Sequence, residues 1–353
     1  MFTAPSIPIV QGPMLGASGV ELAVAVSRAG SLGSLAAAGL TAPVMRDAIK
    51  AIRAATDKPF LVNIFVLEPA SPDPAIVASA IERLRPWRER YGLPPQITPT
   101  KWAESFAEQF DIMLNEAPPF VSFTFGILSR AQVAALQARG SRVIGTATTL
   151  AEARAWADIG ADAICAQGFE AGGHRGTFLK DVSESLVGTL SLTRSIVAAL
   201  DLPVIAAGGV TDGPAIAAVL ALGAVAAQIG TAYLLAEEAT TSAVWRKAIS
   251  EAGDDPTRLT RAISGRYARG IDNEFMRAMR PIEAEIPAYP VQNALTQELR
   301  AAATRANSPD VLSLWAGQSV GLARPGKAAD ITETLWRDAR EALRANARRW
   351  AGD

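Results

Sequence analysis

The chain has 353 residues, 49% apolar and 20% charged, so it can bury a large core and is not disordered. Lys plus Arg total 34 against 35 for Asp plus Glu; the net charge of -1 offers no electrostatic footprint for nucleic acid or an anionic membrane. A single cysteine excludes an internal disulfide framework and a cysteine-based zinc cluster. A single histidine excludes a two-histidine metal site, so no metal is expected and any imidazole chemistry falls on His174.

In chain order, residues 1–10 carry no basic n-region and no cleavage-site pattern, so no signal peptide is expected. Eight short continuous apolar runs then read as buried parallel strands: 7–11, 31–36, 60–66, 120–125, 142–146, 163–166, 203–207 and 224–229. Helix-length segments separate most of them. Ser129 with Gln132 and Thr149 with Glu152 fit capping boxes, and Pro214 fits a first helical position. Most strand starts lie about 21 to 29 residues apart, the period of a βα unit, and eight such units close into a (β/α)8 TIM barrel of the α/β class.

Two gaps are longer. The first follows the third strand and opens with Pro69, Pro72 and Pro74; it predicts amphipathic helices at 75–91 and 101–115. The second follows the eighth strand and predicts a helix at 244–252, partly extended chain at 258–270 and a final amphipathic helix at 329–350. This divides the chain into a barrel (1–68 and 118–252), a smaller, mostly helical cap over its C-terminal rim (69–117 and 253–327), and a C-terminal helix, 328–353, packed back on the barrel. The uncharged run 213–236 is long enough to span a bilayer, but Gly223, Gln228, Gly230 and Thr231 interrupt it within a strand–helix alternation. A soluble cytoplasmic protein is the expectation, with no membrane or nucleic-acid partner.

In a barrel the active site lies at the carboxyl ends of the strands, where this sequence gathers glycines and polar residues. The seventh strand ends in Gly208-Gly209 and the eighth in Gly230-Thr231. Glycines let backbone amides approach an anion, and these two loops are the usual phosphate cradle of such barrels, so these four residues predict a phosphate site. After the sixth strand comes Gly172-Gly173-His174-Arg175-Gly176. Glycines on both sides clear space around the imidazole, a setting for a base or hydrogen-bond donor facing a ligand. Arg175 reads equally as an anion binder or as a partner for a surface carboxylate. Cys165, inside a strand, reads as inert; the seven tryptophans read as core or interface anchors. The P-loop-like stretch 321–328 is rejected because Ala328 replaces the hydroxyl, Pro325 stiffens the loop and no strand precedes it.

The sequence resembles the nitronate monooxygenase family, formerly 2-nitropropane dioxygenases, from Pro8 to beyond Trp315. The carriers are Gln11-Gly12-Pro13-Met14, Val62-Asn63, the 122–126 and 167–176 motifs, Ala206-Ala207-Gly208-Gly209, the run 228–235, Ser264-Gly265-Arg266, Ala268-Arg269-Gly270 and Leu314-Trp315-Ala316-Gly317-Gln318. The resemblance implies an FMN enzyme that oxidises alkyl nitronates such as propionate 3-nitronate, and nitroalkanes as well, with O2 to carbonyl compounds and nitrite. It implies that Gly208, Gly209, Gly230 and Thr231 hold the FMN phosphate. Pro13 and Met14 would lie near the flavin rings, and Asn63 and Gln167 would bond polar atoms of ring or ribityl chain. Gly172, Gly173 and Gln228 complete the cofactor set, and His174 faces the substrate. Tyr289 and Asn293 are implied to line the substrate pocket, as is Thr124, where some members carry a histidine. The His-bearing motif is shared with FMN-dependent enoyl-acyl carrier protein reductases that use NAD(P)H, which stand as the alternative; a non-catalytic barrel binding a phosphate ligand is the second. The tryptophan-bearing tail is a candidate homodimer contact.

Overall fold

The computed structural model describes residues 4–350, so the first three residues of the N-terminal segment and the last three of the chain lie outside the described residues. Eight strands form the barrel: β1 (Ile9–Gln11), β2 (Gly33–Ala36), β3 (Phe60–Phe65), β4 (Phe120–Thr124), β5 (Arg142–Ala147), β6 (Ala163–Gln167), β8 (Val204–Ala207) and β9 (Ala226–Ile229). All pair in parallel, in the order β1-β9-β8-β6-β5-β4-β3-β2. A parallel bridge between Val10 and Leu32 joins β1 to β2 and closes the ring. Each of the eight apolar runs is therefore a barrel strand.

Alternation along these strands sorts the core. Val10, Leu61, Ile144, Cys165 and Ile205 point inward and fill the barrel with Leu32 and Ala226. Their neighbours, such as Val62, Val143 and Ile164, point outward under the helices. Gly145 shows how tight that outer layer is, because a Cβ there would lie 2.1 Å from the Trp156 ring. Cys165 is buried at the barrel end of a cavity that opens at the strands' carboxyl ends, and burial pushes its thiol up to about 12, away from the reactive thiolate.

The capping signals resolve differently. Ser129 and Gln132 form the reciprocal box at the helix Arg130–Ala138. Thr149 caps Leu150–Asp158, but Glu152 does not return the bond. Its buried carboxylate accepts from Thr148, Thr177, Phe178 and Leu179 instead, tying down the chain beyond His174. Pro214 is the second residue of the helix Gly213–Ala221, behind the cap Asp212. The run 213–236 breaks into that helix, β9 and a 3-10 turn (Thr231–Leu235), and no helix of the described residues is long and apolar enough to cross a membrane.

The two helices of the first long gap go to different places. Phe106–Glu116 buries Phe110, Ile112 and Met113 with the outer barrel core. Pro74–Arg90 buries Val77, Ala80 and Leu84 in another cluster, with Phe275, Leu295, Leu299 and Val311 of the tail. The tail also forms β10 (Thr257–Thr260) and β11 (Ala268–Ile271), an antiparallel pair. β11 then pairs with the two-residue β7 (Gly173–His174), setting Ala268 opposite His174. The last helix, Ala328–Trp350, packs on Gly213–Ala221 so closely that a Cβ on Gly213 would meet Ala339 N at 2.5 Å.

Candidate active site

One cavity opens at the carboxyl ends of the barrel strands. Pro13, Met14, Asn63, Thr124, Gln167, Gly172, Gly173, His174, Gly208, Gly209, Gln228, Gly230, Thr231 and Asn293 all border it. Tyr289 is not among the residues that border it; its ring packs beside His174, centroid to centroid 5.6 Å, and borders a separate pocket with Pro72 and Arg83.

The side nearest β8 and β9 is made of backbone. Gly208 and Gly209 adopt φ of +118° and +68°, which a side chain resists. Their carbonyls turn away from the cavity, where Thr189 Oγ1 donates to Gly208 O at 2.8 Å and Ser319 Oγ donates to Gly209 O at 2.7 Å. The amides of Gly208, Gly209, Gly230 and Thr231 donate no hydrogen bond to the protein among the described residues. Unpaired N–H groups at two adjoining loops can receive an anion the size of a phosphate. The tail closes this side, because Gly317 N donates to Thr231 Oγ1 at 3.0 Å. Gly172 permits that approach; a Cβ there would lie 2.6 Å from the Ala316–Gly317 backbone.

The loop after β6 is held by its own polar residues. Gln167 Nε2 donates to His174 O at 3.0 Å, and Gln167 Oε1 accepts from Gly176 N at 2.7 Å. Both ends of the Gln167 amide are thus engaged in shaping the loop it precedes. Arg175 neither binds an anion nor pairs with a surface carboxylate. It is wholly buried and donates to Gln167 O, Gly168 O and Ser185 O, so it is a structural cation under the loop. Asn63 Nδ2 donates to Ser122 Oγ at 2.9 Å, which leaves its carbonyl oxygen available to the cavity. Thr124 Oγ1 touches Asn63 Nδ2 and Thr146 Oγ1, each at 3.4 Å.

The side around His174 is made of side chains. The rings of Phe125, Trp315, Tyr289 and Phe65 stand 5.4, 5.5, 5.6 and 6.3 Å from the imidazole. Phe125 holds a φ of +79°, rare for a bulky residue, and the Arg266 guanidinium lies 4.1 Å over its ring. His174 Nε2 is 2.8 Å from Ser264 Oγ. Burial, then the charges of Arg266 and Arg300, bring the imidazole down from 6.5 to about 3, so it is neutral at physiological pH. Burial also raises the Tyr289 hydroxyl to about 12.

Arg300 borders the same cavity and went unread in the sequence. Its Nη2 donates to Asn293 O and Oδ1 at 2.9 and 3.0 Å, while Nη1 has no protein partner and no carboxylate pairs with it among the described residues. Its helix, Gln297–Arg305, reads in sequence as a charged surface segment, and only the fold turns one face toward the cavity. Trp245 and Trp315 also line the cavity instead of serving only as core anchors. Trp315 had a signal in the 314–318 motif; Phe65 and Arg300 had none.

A barrel whose rim joins unpaired amides and a neutral imidazole on one aromatic cavity has the layout of an enzyme that works on a small molecule. Residues 2–338 match the sequence profile of the nitronate monooxygenase family. The chain is 43% identical to a nitronate monooxygenase of Pseudomonas aeruginosa over 332 residues, covering 93% of this chain and 95% of that one. It is 40% identical over 343 residues to a nitronate monooxygenase of Paraburkholderia phytofirmans, covering 95% and 93% of the two chains. Among solved structures, a nitroalkane oxidase from Streptomyces ansochromogenes superposes with a TM-score of 0.90 at 39% identity, over 97% of this chain and 98% of that one. FabK from Thermotoga maritima superposes with 0.76 at 28% identity, over 98% and 96%. The chain belongs to the nitronate monooxygenase family and is an oxidoreductase.

Proposed function

We propose that this enzyme binds FMN and oxidises an alkyl nitronate with O2, releasing nitrite and an aldehyde or ketone. The observation that carries the reading is the joining, in one cavity, of four unpaired amides with a neutral histidine and an arginine that no carboxylate pairs with among the described residues. Gly208, Gly209, Gly230 and Thr231 would hold the phosphate of FMN, and Pro13, Met14, Asn63, Gln167, Gly172, Gly173 and Gln228 would border the rest of it. When bound, FMN accepts electrons from the substrate and returns them to O2.

The chain's residues do the remainder. Phe65, Phe125 and Trp315 exclude water around the reacting carbon, and a dry site strengthens each polar contact. His174 accepts the α-proton when the substrate arrives as a neutral nitroalkane, its imidazolium then standing beside the nitronate's negative charge, which offsets the burial that keeps the free imidazole neutral. Arg300 Nη1 and the Tyr289 hydroxyl would receive negative charge, which favours a substrate carrying a carboxylate as well as a nitronate, such as propionate 3-nitronate. The helix Pro74–Arg90 and the tail segment 253–327 act as the cap that shapes this pocket.

The test is direct. Purified protein loaded with FMN should be yellow, should bleach when mixed anaerobically with a nitronate, and should release nitrite in air. Bleaching by NADPH with none by a nitronate would instead identify an FMN-dependent enoyl-acyl carrier protein reductase, the alternative that the His-bearing motif raised. Protein that stays colourless after incubation with FMN would point to a non-catalytic barrel.

A further inference from the structure

We propose that Ser264 is a positioning residue that holds His174 as the Nε2–H tautomer and so leaves Nδ1 as a bare lone pair. Ser264 lies in the tail between β10 and β11, is 1% exposed, and has one hydroxyl proton to place. Two groups compete for it. The Arg266 carbonyl lies 3.1 Å from Ser264 Oγ, and His174 Nε2 lies 2.8 Å away. A carbonyl can only accept, and the Arg266 carbonyl has no other protein partner among the described residues. Turning the hydroxyl toward the imidazole would orphan that carbonyl, whereas turning it toward the carbonyl satisfies every group if Nε2 carries hydrogen and donates to Oγ. The hydrogen bond on one ring nitrogen decides the state of the other.

His174 Nδ1 has no protein partner among the described residues. In the resting enzyme it therefore meets the substrate as a base and not as a donor. A neutral nitroalkane gives its α-proton to Nδ1, and the C–H electron pair becomes the C=N bond of the nitronate. The imidazole becomes doubly protonated, with its Nε2–H still directed at Ser264. A preformed nitronate does not draw on this arrangement. The functional half of this inference rests on the nitronate reading; the tautomer does not.

Because the chain has one histidine, the holoenzyme labelled with 15N-histidine gives a single imidazole in a long-range 1H–15N spectrum. Nε2 should fall in the protonated range and Nδ1 in the unprotonated range, with the Nε2 proton slow to exchange with water. In Ser264→Ala that exchange should quicken. The kcat/KM for a neutral nitroalkane should fall about tenfold, the scale of one net hydrogen bond lost, with a much smaller change for the matching nitronate. Ser264→Thr, which restores the hydroxyl, should recover both. A wild-type spectrum with the proton on Nδ1 overturns the proposal, as does a Ser264→Ala enzyme with unchanged exchange and nitroalkane turnover. If the alanine variant does not fold, the wild-type spectrum decides alone. A spectrum as expected from an enzyme inactive on both substrates would sink the nitronate reading and leave the tautomer assignment standing.

Discussion

The loops after β8 and β9 and the wall around His174 border one cavity, yet the first is made of backbone and the second of side chains. Gly208, Gly209, Gly230 and Thr231 present amides, with the carbonyls of the glycine pair tied back by Thr189 and Ser319. Across the cavity, Phe65, Phe125, Trp315 and Arg300 present rings and one cation, drawn from β3, the β4 rim and the tail, with Tyr289 packed against Phe125. Backbone recognition tolerates little change and suits a ligand that does not vary. Side-chain recognition can be retuned one residue at a time and suits a substrate that differs between relatives.

Substitutions test that contrast. The largest effect is expected from Gly172→Ala, whose Cβ would meet the Ala316–Gly317 backbone at 2.6 Å and push the tail off the cradle. The tail must shift to relieve that overlap, and flavin retention, read from the absorbance spectrum of the purified variant, should be lost. Next comes His174→Asn, which removes the base. Nitroalkane turnover should fall by about 10² to 10⁴, with nitronate turnover much less affected. Equal losses on both substrates would remove proton abstraction from the account.

Protonation offers a third test. The imidazole is held down near 3 in the folded protein against 6.5 in the unfolded chain. Below pH 6.5 the unfolded chain takes up a proton that the folded one does not, so stability falls as pH drops from 6.5 toward 3. By pH 5 the loss from this residue should be about 2 kcal/mol. Urea midpoints at pH 7 and pH 5 measure it, and His174→Gln should flatten that part of the difference. Arg300→Met should raise KM for a carboxylate-bearing nitronate about tenfold and change kcat little, since it removes binding and not chemistry. An unchanged KM would free Arg300 of any part in substrate binding. The smallest effect belongs to Thr124→Val, whose two contacts of 3.4 Å are weak; its ranking of nitronates should move by about threefold or less.

The same division explains what the sequence disclosed. The barrel was legible because buried parallel strands are short apolar runs, and the cradle because glycines stand at two neighbouring strand ends. Both are local signals. The wall around His174 was legible only in part. His174 stood out between glycines, and Tyr289, Asn293 and Trp315 through family likeness. Arg300 did not, because a charged helix face reads the same whether it meets water or a cavity. Arg175 beside the histidine suggested ligand chemistry, but it spends its guanidinium on three backbone carbonyls. Glu152 had the spacing of a helix cap and went instead to the chain around 177–179.

The pairing of β7 with β11 has a consequence for synthesis. The strand that fixes the backbone of His174 leaves the ribosome roughly a hundred residues after the histidine itself. A nascent chain could close its barrel long before that and still lack an ordered imidazole, so the enzyme stays silent until the tail has emerged and docked.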